Sequence, residues 1–395
     1  MIIPIRRLLV ANRSEIAIRV FRAASEMGIR TFAVYAEQDK LSLHRFKADE
    51  AYRIGRGKGP IEAYLSIDEV IRVAKEHRID AIRPGYGFLS ESPEFANACS
   101  QTGIAFIGPS EQTMRTLGNK IAARNLASSC GVTVMPASGA LPDDPEAIKQ
   151  AAAEVGYPVM LKASWGGGGR GMRPIDREDQ LLDAVKSAKR EAAAAFGKDE
   201  VYIEKLVRRA RHVEVQILGD RYGNLVHLFE RDCSIQRRNQ KIVERAPAPY
   251  LDVSTREALY AAALRIAKAT NYVGAGTVEF LVDADTGEFY FIEVNPRIQV
   301  EHTVTEVVTG LDIVKAQIKI ASGGQIGVVD ETGIPQQAGI NLSGHSVQCR
   351  ITTENPEKQF YPGLWSHHRL SGCNGLRHSH RWRHGIFRSS GHTFL

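Results

Sequence analysis

Residues 289–302 read Phe289-Tyr290-Phe291-Ile292-Glu293-Val294-Asn295-Pro296-Arg297-Ile298-Gln299-Val300-Glu301-His302, and this stretch constrains the fold more than any other. Successive side chains of an extended backbone point to opposite faces, so Glu293, Asn295, Arg297, Gln299 and Glu301 are expected on one face and Ile292, Val294, Ile298 and Val300 on the other. A half-solvated strand also alternates in this way. The bulky apolar run Phe289 to Ile292, however, belongs inside a sheet, and the polar residues after it are expected to emerge from the interior into a cleft. Two carboxylates and a carboxamide suit Mg²⁺, an arginine forks onto a planar anion, and a further glutamate can take a proton. The combination fits phosphoryl transfer to a small oxyanion.

The chain leading to this stretch alternates strand and helix. Arg7-Leu8-Leu9-Val10-Ala11 reads as a buried strand, Glu15 to Ala24 as an amphipathic helix ending near Gly28, and Thr31 to Tyr35 as the next, parallel strand. Helix 67–78 and strands at Ala81-Ile82 and Ala105-Phe106-Ile107 continue a Rossmann-like α/β start. Its first turn carries Asn12-Arg13-Ser14 in place of GxGxxG, which argues against a dinucleotide site. The loop from Arg83 to Pro93 is dense in Gly, Pro and Ser at a strand's carboxyl end, where open sheets place ligands; a tight connection without a ligand reads the same way.

A second segment carries phosphate chemistry. A strand ending in Lys162 precedes Gly166-Gly167-Gly168-Gly169, whose freed backbone can aim N–H groups at an anion; a purely flexible loop is the alternative. Further on, Val201 to Val207 and Arg211 to Ile217 read as strands, with a hairpin turn at Asp220 to Asn224. Glu230 to Lys241 reads, out of context, as a charged loop, followed by helix 254–269. The turn Asp283 to Gly287 joins two antiparallel strands and is expected to bring Glu279 beside Glu293 as a divalent metal clamp.

No apolar run reaches the roughly 18 residues of a membrane span, and the amino terminus lacks a signal-peptide cleavage region, so a cytoplasmic protein is expected. Five scattered cysteines without CxxC spacing suit free thiols in a reducing compartment. The net charge of +6 does not point to nucleic acid, because residues 363–395 hold five arginines and no acidic residue, while residues 1–362 balance at 46 basic against 45 acidic.

Lys162 before the glycine run, Glu204-Lys205-Leu206-Val207, and Glu293-Val294-Asn295 with upstream Glu279 resemble the ATP-grasp superfamily. Ala11 to Ala17, Arg83 to Glu91 and Asn295 to His302 resemble biotin carboxylase. Lys162-Ala163-Ser164-Trp165, Arg245 to Tyr250 and Ala269 to Tyr272 are most similar to the biotin carboxylase domain of the pyruvate carboxylase family. The resemblance implies an α/β chain with a Rossmann-like domain at 1–118 and an ATP-grasp domain at 119–325, its glycine-flap subdomain at about 136–203. Residues 326–361 would then begin an incomplete carboxyl-terminal domain.

It further implies that Lys120, Lys162, Gly166, Gly167, Gly168 and Gly169 hold ATP phosphates. Glu204, Lys205 and Val207 would line the adenine pocket, with His212 and Gln236 near the ribose. Glu279, Glu293 and Asn295 would bind Mg²⁺ or Mn²⁺, while Lys241, Arg297, Gln299 and the Val300 backbone would hold bicarbonate. Glu301 would be the base, Glu214 would buttress the site, and Arg350 would steady the ureido oxyanion of biotin. Expected partners are bicarbonate, biotin on a carrier domain and a second copy in a homodimer, with the carboxyltransferase and carrier domains of the larger enzyme absent from this chain.

The likeness stops at residue 361. Six histidines and two tryptophans crowd residues 365–392 without apolar periodicity; a metal site at His378, His380 and His384 is one reading and non-native sequence the other. Gly363-Leu364-Trp365-Ser366-His367-His368 can be encoded so that moving one base along yields Asp-Tyr-Gly-Arg-Ile, as the family continues. A frameshift near codon 362 and a disordered tail over 362–395 are therefore expected. The competing functional readings are an inactive nucleotide-binding remnant and an ATP-grasp ligase with a different carboxylate; Arg297, Gln299 and Glu301 after the metal residues favour bicarbonate over the latter.

Overall fold

The computed structural model describes residues 4–164, 172–196, 199–237 and 240–351, with the backbone of 354–355 and 361–362. The glycine run Gly166–Gly169 and the tail from residue 363, with its frameshift and histidine cluster, lie outside the described residues.

The amino-terminal strands β1 (Arg7–Val10), β2 (Arg30–Tyr35), β3 (Glu50–Arg53), β4 (Ala81–Arg83) and β5 (Ala105–Phe106) form a parallel sheet in the order β3-β2-β1-β4-β5. Leu8, Leu9 and Val10 are sealed on both faces, which is why this run is apolar throughout. Helix Ser14–Glu26 supplies the crossover from β1 to β2, burying Ile16, Ala17, Val20, Phe21, Ala23 and Ala24. The strand order reverses between β1 and β4, the kind of switch point at whose carboxyl ends open α/β sheets seat ligands. There the Asn12 side chain donates to the carbonyls of Pro84 at 2.6 Å and Tyr86 at 2.8 Å, pinning the Gly-rich loop to the end of β1.

Three short strands, β6 (Val159–Ala163), β7 (Arg173–Ile175) and β8 (Val201–Lys205), form an antiparallel sheet in the order β7-β6-β8, packed on the helices Pro145–Val155 and Leu181–Phe196. The largest sheet comprises β9 (Ala210–Gly219), β10 (Leu225–Arg237), β11 (Gln240–Ala246), β12 (Gly274–Asp283), β13 (Phe289–Asn295) and β14 (Ser346–Cys349), ordered β13-β12-β9-β10-β11-β14. Two expectations change here. The supposed charged loop from Glu230 to Lys241 is mostly strand, with Glu230, Arg231 and Asp232 buried in β10. A run of charged residues reads as solvated only until neighbouring strands supply partners. The alternating stretch also does not continue as a strand to Glu301: Pro296 has no N–H to donate, β13 ends at Asn295, and the Arg297 N–H turns back onto the Asn295 carbonyl at 2.8 Å.

One apolar core runs from the parallel sheet into the large one, joining Leu8, Val10 and Ile16 with Leu218, Ala275, Ile298, Ile313 and Ile318. An ion cluster around the buried Arg19 reinforces this junction: Arg19 pairs with Glu306 at 2.8 Å and with the partly exposed Asp312 at 2.7 Å. The candidate site is thus framed by two sheets sharing a packed interior. Among the described residues no helix is long and apolar enough to cross a membrane.

Candidate active site

Antiparallel register places one charged row across four strands. Arg231 on β10 lies opposite Glu214 on β9, Glu214 opposite Glu279 on β12, and Glu279 opposite Glu293 on β13. The expected juxtaposition of Glu279 with Glu293 is therefore present. Like charges in adjacent strands repel, so such a row persists only with counter-charges in place.

Lys241 on β11 is the main counter-charge. Its ammonium donates to Glu214 at 2.5 Å, Glu279 at 2.9 Å and Glu301 at 2.7 Å. Burial alone would push this ammonium down, but the three carboxylates hold it well above the ordinary lysine range. Burial likewise acts to raise Glu301; Lys241, Arg231 and Arg350 overcome it and hold the carboxyl down at about 2. Glu279 is held well below its usual range by Lys241 and His212, which outweigh its burial. His212 Nε2 lies 2.7 Å from Glu279.

Behind this row sits Arg231, fully sealed from solvent. Its guanidinium donates to Glu214 at 2.6 Å, Gln216 at 2.7 Å, Thr305 at 3.0 Å, Thr277 at 3.1 Å and Gln299 at 3.0 Å. The sequence reading did not assign Arg231 a role. Its signal was faint: an arginine inside a polar run that turned out to be strand.

The bend after β13 brings Asn295, Gln299 and Glu301 to the same polar face. The amides of Asn295 and Gln299 each donate to Glu279 at 2.8 Å. Arg297 donates to the Asn295 side-chain oxygen at 3.0 Å and pairs with Glu91 at 2.9 Å, so the Gly-rich loop after β4 reaches the site. Val300 immediately precedes Glu301, the N-cap of helix His302–Thr309. Arg350, following β14, bridges Glu301 at 3.1 Å and the buried Glu244 at 2.5 Å.

Glu293 is partly buried, and its carboxylate forms no hydrogen bond or ion pair among the described residues; burial and Glu279 raise its proton affinity. A carboxylate left in this state opposite a second one, beside the Asn295 carboxamide, makes a hard oxygen set that fits a divalent cation. The tighter groupings of metal-capable side chains among the described residues are His212–Glu214–Glu279 and Glu214–Cys233–Glu301, neither of which includes Glu293.

The residues expected at the nucleotide lie along one flank. Lys120 is exposed at the first turn of helix Lys120–Ser129, whose N-cap Asn119 accepts from the Ala122 N–H at 2.9 Å. Lys162 on β6 pairs with Glu204 on β8, its diagonal cross-strand neighbour. The Lys205 ammonium turns instead to the carbonyls of Gly156 at 2.8 Å and Tyr157 at 2.9 Å, leaving its main chain and Val207 along the strand end. The Gln236 amide donates to the Cys233 carbonyl at 2.9 Å, and His212 is engaged by Glu279.

A family model described as the biotin carboxylase N-terminal domain matches residues 4–114, and one described as the carbamoyl-phosphate synthase L chain ATP binding domain matches residues 119–328. The chain is 51% identical over 375 residues to pyruvate carboxylase of Bacillus subtilis (strain 168), covering 94% of this chain and 32% of that protein. It thus spans about a third of the length of that curated relative. Among solved structures, a Rhizobium etli pyruvate carboxylase with the allosteric activator acetyl coenzyme A superposes with a TM-score of 0.83 at 68% identity, over 90% of this chain and 32% of that one. The Hydrogenobacter thermophilus 2-oxoglutarate carboxylase biotin carboxylase domain dimer, in complex with MgADP, ADP and bicarbonate, also gives 0.83, at 46% identity over 91% of this chain and 77% of that one.

Proposed function

Because this chain belongs to the biotin carboxylase family, we propose that it catalyses the ATP- and bicarbonate-dependent carboxylation of biotin, the first half-reaction of pyruvate carboxylase. The observation that carries this reading is Lys241 held among Glu214, Glu279 and Glu301, beside the cross-strand pair Glu279 and Glu293.

Glu279 and Glu293, with Asn295, would hold Mg²⁺ or Mn²⁺, which when bound neutralises phosphoryl oxygens. Lys120, Lys162 and the run Gly166–Gly169 would cradle the phosphates of ATP. Glu204, Lys205 and Val207 would border the adenine, and His212 and Gln236 the ribose. Bicarbonate would lie against Lys241, Arg297, Gln299 and the Val300 N–H. Glu301 would take its proton as an oxygen attacks the γ-phosphorus and ADP departs. At about 2 its proton affinity is low, so bicarbonate competing for Lys241 would raise it at the point of use. The resulting carboxyphosphate would split into CO₂ and phosphate, and phosphate would remove the biotin N1′ proton while Arg350 steadies the ureido oxyanion. Carbon dioxide then adds to N1′. Arg231 and Glu214 would keep Gln299 and Lys241 in place.

The reading includes biotin on a carrier domain, a homodimer like the Hydrogenobacter domain dimer, and a cytoplasmic setting; free thiols at Cys99, Cys130, Cys233 and Cys349 support a reducing compartment. It also retains domains at 1–118, 119–325, with a flap at about 136–203, and 326–361. The gap between the two family matches supports the first boundary.

The test is phosphate release from MgATP, with and without bicarbonate and free biotin, beside Glu301→Ala. Release that needs both additions and vanishes in the variant is expected. Nucleotide binding without biotin-stimulated turnover would sink the proposal and identify a nucleotide-binding remnant instead.

A further inference from the structure

We infer that Glu244 is a positioning residue for biotin turnover, gripping Arg350 so that one guanidinium edge is shared between two carboxylates instead of closing onto Glu301. The inference rests on the role proposed for Arg350. Among the described residues Glu244 forms no hydrogen bond or ion pair with the ATP, metal or bicarbonate residues, yet its side chain is sealed from solvent. Register explains its placement: Glu244 on β11 lies opposite Gln348 on β14, and the Arg350 N–H donates to the Ile242 carbonyl at 2.8 Å, so Glu244 and Arg350 are diagonal neighbours on one face.

Arg350 Nε donates to Glu244 Oε1 at 2.5 Å and Nη2 to Glu301 Oε2 at 3.1 Å. These two N–H groups share one edge of the planar fork. Spanning two carboxylates holds that plane at a fixed orientation and leaves the opposite edge for an incoming oxyanion. The other Glu244 oxygen accepts from the Gln348 side-chain amide at 3.3 Å, and the Gln348 side-chain oxygen Oε1 in turn accepts from the Thr303 hydroxyl at the start of the helix that Glu301 caps. Without Glu244, the fork is free to pair bidentately with Glu301, occupying the base and withdrawing from biotin at once.

The experiment compares the chain with Glu244→Gln, Arg350→Met and the double variant, varying free biotin, bicarbonate and MgATP in turn. Glu244→Gln keeps the shape and removes the charge. It is expected to lower kcat/KM for biotin by about tenfold, with far smaller changes in KM for bicarbonate and MgATP, and to add nothing to Arg350→Met. Glu244→Asp should recover part of the loss. Equal effects on all three substrates, independent effects in the double variant, or no effect would each overturn the inference. Lack of bicarbonate-dependent release by the unmodified chain would instead overturn the functional reading, and this inference with it.

Discussion

Arg231 Nε donates to Glu214 Oε1 at 2.6 Å, and neither side chain has any contact with solvent. A guanidinium buried this completely survives because Glu214 balances its charge while Gln216, Thr277, Thr305 and Gln299 take its remaining N–H groups. Glu214 also accepts from Lys241, so one carboxylate supports the interior cation and the active-site cation together.

Replacing Glu214 by Gln is therefore expected to cost about 3 kcal/mol of folding stability, because breaking a buried pair strands its partner. Urea unfolding monitored by circular dichroism would measure it. A change under about 0.5 kcal/mol, the size of an ordinary surface substitution, would show that Arg231 does not depend on this carboxylate.

Lys241→Gln removes the ammonium shared by three carboxylates. Bicarbonate-dependent phosphate release should fall by roughly a hundredfold, the scale of losing one well-placed charge in a closed site. The acid limb of the residual activity should also move to higher pH. Glu301 is held down at about 2 against the opposing effect of burial, with Lys241 the largest counter-charge, so without that cation it protonates more readily as pH falls. Rate profiles between pH 5 and 8 would decide; an unshifted limb would count against the assignment.

Gly85 has φ +73°, and an added Cβ would stand 2.8 Å from Ile16 Cγ1 and 3.3 Å from Asn12 Nδ2. Gly85→Ala should destabilise the chain by about 1–3 kcal/mol through backbone strain and this clash. Because the same loop presents Glu91 to Arg297, KM for bicarbonate should rise as well. Thermal unfolding and bicarbonate titration would test both halves; an unchanged melting temperature would refute the strain argument.

Burial lowers His227 to about 4, where it stacks on Tyr260 at 4.0 Å and its Nδ1 accepts from the Phe229 N–H. The folded state therefore binds fewer protons than the unfolded state between pH 6.5 and about 4, and stability falls as pH drops through that window. The full shift corresponds to about 3 kcal/mol. His227→Phe should flatten this part of the stability profile even if it is less stable at pH 7. Melting temperatures at pH 7, 6 and 5 would reveal it, and parallel profiles for the two proteins would exclude His227 as the source.

Much of the site was legible in the residues alone. The turn at Asp283 to Gly287 implies a hairpin, and hairpin register brings Glu279 opposite Glu293. The strand-borne Lys162, the polar residues Asn295 to Glu301 and the loop ending in Glu91 were likewise visible, because each follows from neighbours a few positions away. Pro296 could have warned that the strand ends at Asn295, since a proline cannot donate to the ladder.

The tertiary structure alone decided which charges meet. Arg231 and Glu214 are adjacent only through the pairing of β10 with β9, and Lys241 reaches three carboxylates carried by two other strands and a helix cap. Glu244 gained its partner from the residue just past a strand more than a hundred positions later. Local spacing fixes which face of a strand a residue occupies; the ordering of strands in a sheet is set by burial and topology across the whole chain, and that ordering turned separate charged residues into one network.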